Sequence, residues 1–120
     1  MTKRILVIED DTSIRDLLSE ILESEGYIVT SAVNGLEGLK CLQSDVIPDL
    51  ILIDLMMPVM DGYSFRTEQL KNPIWSKIPT VVMSAEANAK DKMKNFSITA
   101  FLSKPVELET ILKTVAIFSK

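Results

Sequence analysis

The sequence predicts an α/β fold, a doubly wound five-stranded parallel sheet with helices on both faces. Three observations support this prediction. Short, continuous apolar runs recur along the chain, as expected of strands that are buried on both faces of a parallel sheet. Each run is followed by a segment with apolar residues at helical spacing. The two patterns alternate strictly five times, and parallel strands are usually joined by helical crossovers.

The first strand–helix unit is marked by both patterns and by its helix ends. Residues 5–8 form a continuous apolar run that predicts a buried strand. The next segment predicts an amphipathic helix with an apolar face made of Ile14, Leu17, Leu18, Ile21 and Leu22. Asp11 or Thr12 can cap the start of this helix, and Gly26 is placed to end it in a left-handed conformation.

The second and third units repeat this arrangement. Residues 27–30 predict a strand, and Asn34 with Glu37 three residues later resembles a capping box for the next helix. Residues 50–53 form the most apolar run and predict the third strand. Asp61 is placed to cap the third helix.

The last two units contain the shortest strand and the most polar helix. Residues 78–83 predict the fourth strand, and residues 89–96 predict a helix with few apolar positions. Residues 100–102 predict a short fifth strand. Pro105 precedes a final helix whose apolar residues again recur at intervals of three and four.

Length and composition fit a single globular domain over residues 1–120. Apolar residues make up 47% and charged residues 25% of the chain, which excludes a disordered protein. No apolar run reaches the roughly 20 residues of a membrane span, and no signal peptide is recognisable. The single cysteine cannot form an internal disulfide. These features favour the cytoplasm.

Charge and the absence of histidine narrow the classes of function. The net charge of −4 argues against a nucleic-acid surface. Without histidine, the chain lacks the base of Ser-His-Asp and Cys-His catalytic systems and a common metal ligand. Residues 1–60 carry 4 Lys and Arg against 11 Asp and Glu, a balance of −7, whereas residues 61–120 carry 9 against 6, a balance of +3. This asymmetry fits either scattered surface charge or an acidic site that faces a basic rim.

The residues that directly follow the predicted strands are polar or charged. Doubly wound sheets bind ligands at the carboxyl ends of their strands, so these residues are expected to meet at one edge. They are Glu9, Asp10, Asp11, Asp54, Ser84, Ser103 and Lys104. Crowded carboxylates repel one another unless solvent or a cation compensates, and oxygen ligands suit Mg²⁺. With Lys104 and Ser84 available for phosphoryl oxygens, Asp54 can be a nucleophile that forms an acyl phosphate. The alternative is that each carboxylate is solvated and has no ligand.

Other designs for handling phosphate fit the sequence poorly. A dinucleotide site needs a glycine-rich turn after the first strand, where this chain has three acidic residues. The chain also lacks the glycine-rich motif that binds nucleoside triphosphates. A phosphatase of the haloacid-dehalogenase type needs a second aspartate two positions after the nucleophile, and that position is Met56. Fast turnover of an acyl phosphate is therefore not expected.

Five motifs occur in a fixed order: Asp10-Asp11, Asp54, Pro-Val-Met-Asp-Gly at residues 58–62, Ser84-Ala85 and Lys104-Pro105. With these motifs the chain resembles a CheY-like response-regulator receiver domain of two-component signal transduction over its whole length. The resemblance implies that Asp54 accepts a phosphoryl group from a histidine kinase or a phosphotransfer protein. It also implies a Mg²⁺ cofactor ligated by Asp11, Asp54 and the backbone carbonyl of Met56. Asp10 would act on the metal through water.

The resemblance implies further roles around the phosphoacceptor. Lys104 would pair with Asp54 and then with its phosphoryl group, and Ser84 would move to hydrogen-bond a phosphoryl oxygen. Phe101 falls on the aromatic switch position of the family and would turn inward when Ser84 moves, although core packing alone also explains an apolar residue there. The Lys104–Pro105 peptide bond is expected to be cis.

The chain departs from the family pattern between Ser84 and Lys104. This stretch is slightly shorter than usual, and residues 97–100 read Ser-Ile-Thr-Ala where Gly-Ala-Asp-Asp is expected. We therefore expect an altered fourth helix or an altered exit from it. Lys90, Lys92 and Lys94 make the segment basic, which fits either a solvated helix face or a surface for an acidic partner.

The leading hypothesis is a Mg²⁺-dependent phosphorylation switch that changes conformation to alter partner binding. Such a domain catalyses only its own phosphoryl transfer and dephosphorylation and is not otherwise an enzyme. Its expected partners are a histidine kinase or phosphotransfer protein and a downstream protein target or effector domain. No direct binding of nucleic acid or membrane by this domain is expected. The alternative hypothesis is a receiver-like protein-interaction module that does not depend on phosphate.

Overall fold

The structure is a computed structural model that describes residues 2–120, in which five strands alternate with five helices. The strands are β1 Arg4–Ile8, β2 Ile28–Ala32, β3 Leu50–Asp54, β4 Thr80–Ser84 and β5 Ala100–Ser103. The helices are α1 Thr12–Ser24, α2 Gly35–Leu42, α3 Gly62–Leu70, α4 Ala89–Lys92 and α5 Leu108–Phe118. Within residues 2–120, no helix has both the length and the apolar character that crossing a bilayer requires.

All five strands are parallel and lie in the order β2-β1-β3-β4-β5. From the centre of the sheet, the chain extends to one edge through β2 and to the other through β4 and β5, so the predicted doubly wound sheet is confirmed. The direction reverses between β1 and β3. The carboxyl ends of these two strands therefore border the crevice in which such sheets bind ligands.

Helices cover both faces of the sheet, and each face has its own apolar core. On one face, α1 and α5 contribute Leu22 and Ile111. On the other face, α2, α3 and α4 contribute Leu42, Phe65 and Ala89. The strands are thus removed from water on both sides, which explains why their sequences are continuous apolar runs rather than alternating ones.

The predicted helix caps are present. Side-chain oxygens of Asp11, Asn34 and Asp61 accept hydrogen bonds of 2.8–3.0 Å from the backbone N–H three residues later. Each bond satisfies a donor that the first turn of a helix leaves without a partner. Gly26 has a φ of +94°, a left-handed conformation that follows the end of α1.

Two strands lie slightly later in the chain than the sequence predicts. β2 begins at Ile28 rather than at residue 27, and β4 begins at Thr80 rather than at residue 78. A 3-10 turn at Trp75–Lys77 precedes β4. Pro79 then has no N–H to give to a neighbouring strand, so regular pairing of β4 starts after it.

The segment after β4 differs most from the sequence prediction. A helix is predicted over residues 89–96, but α4 has only four residues and is followed by a 3-10 turn at Lys94–Phe96. Ser97 then adopts a left-handed conformation with a φ of +52°. The fourth helix is therefore shorter than its sequence pattern predicts.

A buried arginine on α3 holds the end of this segment. Arg66 is 3% exposed, and its Nε and Nη2 donate hydrogen bonds of 2.8 Å to the carbonyls of Phe96 and Ser97. Its Nη1 donates to Thr80 Oγ1 at 3.2 Å, and Gln69 Nε2 donates to the same oxygen at 3.1 Å. Burial lowers the pKa of Arg66. We call these five residues the Arg66 network.

Candidate functional site

The carboxyl ends of three strands bring opposite charges together. Glu9 follows β1, Asp54 ends β3 and Lys104 follows β5. Lys104 Nζ lies 3.2 Å from Asp54 Oδ1 and 3.4 Å from Glu9 Oε1. Both acidic residues are buried, with 1% of Glu9 and 6% of Asp54 exposed. The structure therefore brings Asp54 and Lys104 together at the edge where the sequence predicts them.

Asp10 joins the two carboxylates that contact Lys104. One oxygen each from Glu9, Asp10 and Asp54 lies within 4.8 Å of the other two. Burial, and then the charge of Asp54, raises the pKa of Glu9 to about 7. The cluster offers only oxygen ligands, which suit a hard divalent cation such as Mg²⁺. These residues fit such an ion, because its charge would offset a repulsion that Lys104 alone does not remove. We call Glu9, Asp10, Asp54 and Lys104 the acidic edge.

Lys104 stays protonated in this setting. Burial by itself lowers the pKa of an amine, but the charges of Asp54 and Glu9 outweigh burial and raise the pKa of Lys104. The backbone N–H of Lys104 donates to the carbonyl of Ser84 at 2.8 Å, which ties the end of β5 to the end of β4. The ammonium is thus fixed beside Asp54, where it can contact a phosphoryl oxygen.

Asp11 lies outside the carboxylate cluster, although the resemblance implies that it ligates the metal. Its Oδ1 accepts the 3.0 Å hydrogen bond from the N–H of Ile14 that caps α1. Glu9 occupies the cluster instead. Its backbone N–H still pairs with the carbonyl of Ala32 at 3.0 Å, so Glu9 continues the path of β1 and its carboxylate comes close to Asp54.

The sequence pattern leaves Glu9 without an assigned role although it directly follows the first strand. The predicted cap of α1 could have indicated the role of Glu9. In the structure, the carboxylate that caps α1 is that of Asp11, and it is not part of the cluster around Asp54. Once Asp11 is assigned to the cap, the acidic pair that remains at the end of β1 is Glu9 and Asp10.

The other residues that the resemblance implies differ in burial. Ser84 is buried at the end of β4, and its Oγ accepts a 2.9 Å hydrogen bond from the N–H of Glu86. Phe101 is half-buried on β5 and packs against the core beneath α2, α3 and α4. Met56 is 54% exposed. The peptide bond before Pro105 is cis, as the resemblance implies.

Sequence comparison relates the chain to signalling proteins. The profile of the response regulator receiver domain matches residues 5–116. The chain is 38% identical over 114 residues to the DNA-binding dual master transcriptional regulator RpaA of Synechocystis sp.. That alignment covers 93% of this chain and 47% of RpaA, so the chain spans about half the length of this relative.

Solved structures with the same fold give a similar result. The chemotaxis response regulator CheY4 of Vibrio cholerae superposes with a TM-score of 0.89 at 31% identity, covering 98% of this chain and 99% of that chain. The response regulator TrrA of Thermotoga maritima, solved in complex with Mg²⁺-BeF, superposes with a TM-score of 0.86 at 28% identity and covers the same shares. The strand order and the related structures both confirm the predicted fold class.

Proposed function

Because the chain belongs to the family of response-regulator receiver domains, a family of two-component signalling domains, we propose that Asp54 is its phosphoacceptor. The donor is a phosphohistidine on a histidine kinase or a phosphotransfer protein. The observation that carries this proposal is the contact of the buried Asp54 carboxylate with Lys104, beside two further carboxylates. The only reactions in the proposal are the transfer of the phosphoryl group to Asp54 and its later hydrolysis.

The proposed transfer is an in-line displacement at phosphorus. An oxygen of Asp54 forms the new O–P bond while the P–N bond to the donor imidazole breaks, and the imidazole takes up a proton as it leaves. Lys104 already contacts Asp54 Oδ1 and is placed to neutralise one phosphoryl oxygen. The hydroxyl of Ser84 can donate a hydrogen bond to a second oxygen once Ser84 turns away from the N–H of Glu86.

The proposed metal ligands are the carboxylates of Glu9, Asp10 and Asp54, together with the backbone carbonyl of Met56 that the resemblance implies. When bound, Mg²⁺ supplies positive charge that stabilises the transferring phosphoryl group. The protein's own contribution is to hold three carboxylates close together before the metal arrives. The Mg²⁺-BeF complex of the relative TrrA supports this assignment.

The proposed output is a change in the surface near β4, α4 and β5. Movement of Ser84 toward the phosphoryl group would allow the half-buried ring of Phe101 to turn inward. Phe101 lines a surface pocket of about 330 Å³ with Lys90, Lys94 and Ile98, so its movement would reshape that surface. We propose that a downstream protein or an attached effector domain reads this change, in the cytoplasm and without nucleic-acid binding by the receiver domain itself.

Labelling by a small phosphodonor tests the proposal. The protein is incubated with acetyl phosphate and Mg²⁺, and its intact mass is recorded. We expect one added phosphoryl group on the wild-type protein and none on Asp54→Asn. The control is Asp45→Asn, which removes an acidic residue from an exposed loop and should be labelled like the wild type. Equal labelling of Asp54→Asn and wild type would remove Asp54 from its assigned role.

A second candidate function is a protein-interaction module that does not depend on phosphate. The short α4 favours it, and so do the bonds from Arg66 to the carbonyls of Phe96 and Ser97, because both features alter the segment that would report phosphorylation. The same experiment separates the two functions. A wild-type protein that gains no phosphoryl group, even with excess acetyl phosphate and Mg²⁺, would support the interaction module.

A further inference from the structure

An arginine of α1 folds back onto the loop that carries two carboxylates of the acidic edge. Arg15 Nη1 donates hydrogen bonds to the backbone carbonyl of Glu9 at 2.8 Å and to that of Asp10 at 3.3 Å. Its Nη2 lies 3.4 Å from Thr12 Oγ1. One guanidinium thus spans the main chain of both acidic residues.

The position of Arg15 is unusual for a basic residue. It lies in the first part of α1, where the helix dipole disfavours a positive charge. Carboxylates are plentiful nearby, yet Arg15 forms no ion pair within 4.0 Å among residues 2–120. Its Nη1 group instead donates hydrogen bonds to two main-chain carbonyls. An arginine that served only to neutralise the acidic edge would be expected to contact the carboxylates directly.

The contacts of Arg15 complement those made by the Glu9 side chain. Glu9 Oε2 accepts the N–H of Asp11 at 3.2 Å, and Glu9 Oε1 faces Lys104. Arg15 fixes the main chain from which that carboxylate projects. No other side chain described in residues 2–120 donates a hydrogen bond to the carbonyls of residues 9 and 10.

We propose that Arg15 is a positioning residue for the metal site, which fixes the main chain of Glu9 and Asp10 so that both carboxylates face Asp54. This inference rests on the proposed function, because it assumes that these carboxylates bind Mg²⁺. Residues that orient metal ligands from outside the coordination sphere typically contribute a factor of 10 to 100 in metal affinity. Arg15 acts in this way through the backbone.

By fixing the ligands Arg15 would raise the affinity for Mg²⁺, whereas by its positive charge it would lower that affinity. These opposite effects make the inference testable. If Arg15 acts only as a nearby positive charge, its removal should strengthen binding of a cation. If Arg15 fixes the ligands, its removal should weaken binding, although a repelling charge has been taken away. A purely structural residue would lower the melting temperature and leave the Mg²⁺ affinity unchanged.

The experiment measures Mg²⁺ binding by calorimetry for wild type, Arg15→Met, Arg15→Lys and the control Arg4→Met. We expect Arg15→Met to raise the Mg²⁺ dissociation constant about 10-fold. Arg15→Lys keeps the charge but lacks the planar fork, so a smaller rise is expected. Arg4 is exposed at the opposite end of β1 and should have no such effect when replaced.

Acetyl phosphate labelling adds a readout that distinguishes positioning from general damage. For Arg15→Met, the Mg²⁺ concentration that gives half-maximal labelling should rise, while the rate at saturating Mg²⁺ should stay near that of wild type.

Unchanged or tighter Mg²⁺ binding by Arg15→Met would overturn the inference and leave the proposed function intact. If Arg15→Met does not melt cooperatively, Arg15→Lys decides, and wild-type affinity in that variant would overturn the inference. A wild-type protein that binds no Mg²⁺ would overturn the metal part of the proposed function and this inference with it.

Discussion

The acidic edge and the Arg66 network are both polar clusters with buried charged residues, but they differ in how their charges are compensated. At the acidic edge, three carboxylates lie together and a single amine contacts two of them, and Glu9 has a pKa of about 7. In the Arg66 network, three oxygen atoms accept hydrogen bonds from one guanidinium, and no carboxylate is needed. The comparison teaches that incompletely compensated charge indicates where a ligand binds, whereas a fully bonded polar group indicates a role in stability.

Removal of Arg66 should have the largest effect on stability. In Arg66→Met, the carbonyls of Phe96 and Ser97 lose their donors, and an unsatisfied buried polar group costs about 1–3 kcal/mol. We expect the free energy of unfolding to fall by about 3 kcal/mol and the melting temperature by about 10 °C. Thermal melts followed by circular dichroism measure this change.

The same variant tests whether the two regions are independent. At a temperature where Arg66→Met is folded, labelling of Asp54 should remain close to wild type, because Arg66 does not contact the acidic edge. Arg4→Met is the matched control and should change stability by no more than about 0.5 kcal/mol. A wild-type melting temperature for Arg66→Met would contradict the structural role of the network.

The acidic edge should make the metal-free protein less stable as pH rises. Folding raises the pKa of Glu9 from an ordinary value of 4.5 to about 7, so the folded state binds a proton more tightly than the unfolded state. The contribution of Glu9 to stability is therefore complete below pH 4.5 and is lost as pH rises through 7. In Glu9→Gln this loss is absent, and with a chelator present we expect the variant to melt several degrees higher than wild type at pH 8. Melts of both proteins at pH 5 and pH 8 measure the difference, and equal pH dependence would contradict the charge crowding.

The smallest expected change in stability comes from replacing Asp11, and it distinguishes the residue that caps α1 from the residues of the metal site. Asp11→Ala removes the cap of α1 and should cost about 1 kcal/mol, but it should leave the Mg²⁺-induced rise in melting temperature unchanged. Asp10→Ala should reduce that rise, because Asp10 belongs to the carboxylate cluster. Melts of both variants over a Mg²⁺ titration measure the two effects. A reduced response in Asp11→Ala with a normal one in Asp10→Ala would restore the ligand set expected from the sequence.

The sequence was sufficient to predict the sheet and the meeting of Asp54 with Lys104. Both predictions depend on apolar runs that are long enough to show where each strand ends, and the residue at that end must lie at the carboxyl edge of a parallel sheet. The assignment among Glu9, Asp10 and Asp11 depends on finer detail. A shift of one residue decides whether a carboxylate continues the strand or caps the next helix. The sequence allowed either Asp11 or Thr12 as the cap, so the cap alone did not separate these cases.

The shape of the segment after β4 could not be predicted for a different reason. Its apolar spacing favours a helix over residues 89–96, yet the chain turns at Ser97. The contacts that hold this turn come from Arg66, which lies 30 residues before Phe96 and 31 before Ser97. Local spacing contains no information on such a long-range bond, and an arginine within a helical segment is ordinarily expected to face solvent.

The order of the strands along the chain has a consequence for the protein during its synthesis on the ribosome. Glu9 and Lys104 are 95 residues apart in the chain, and Lys104 follows β5, the edge strand of the sheet, which pairs with β4. A nascent chain that has left the ribosome as far as β3 already exposes Asp54, but the ammonium that faces it has not yet been made. If the proposed function is right, such an intermediate lacks Lys104 and cannot be phosphorylated on Asp54 efficiently. A kinase would then phosphorylate only molecules whose whole sheet has been assembled.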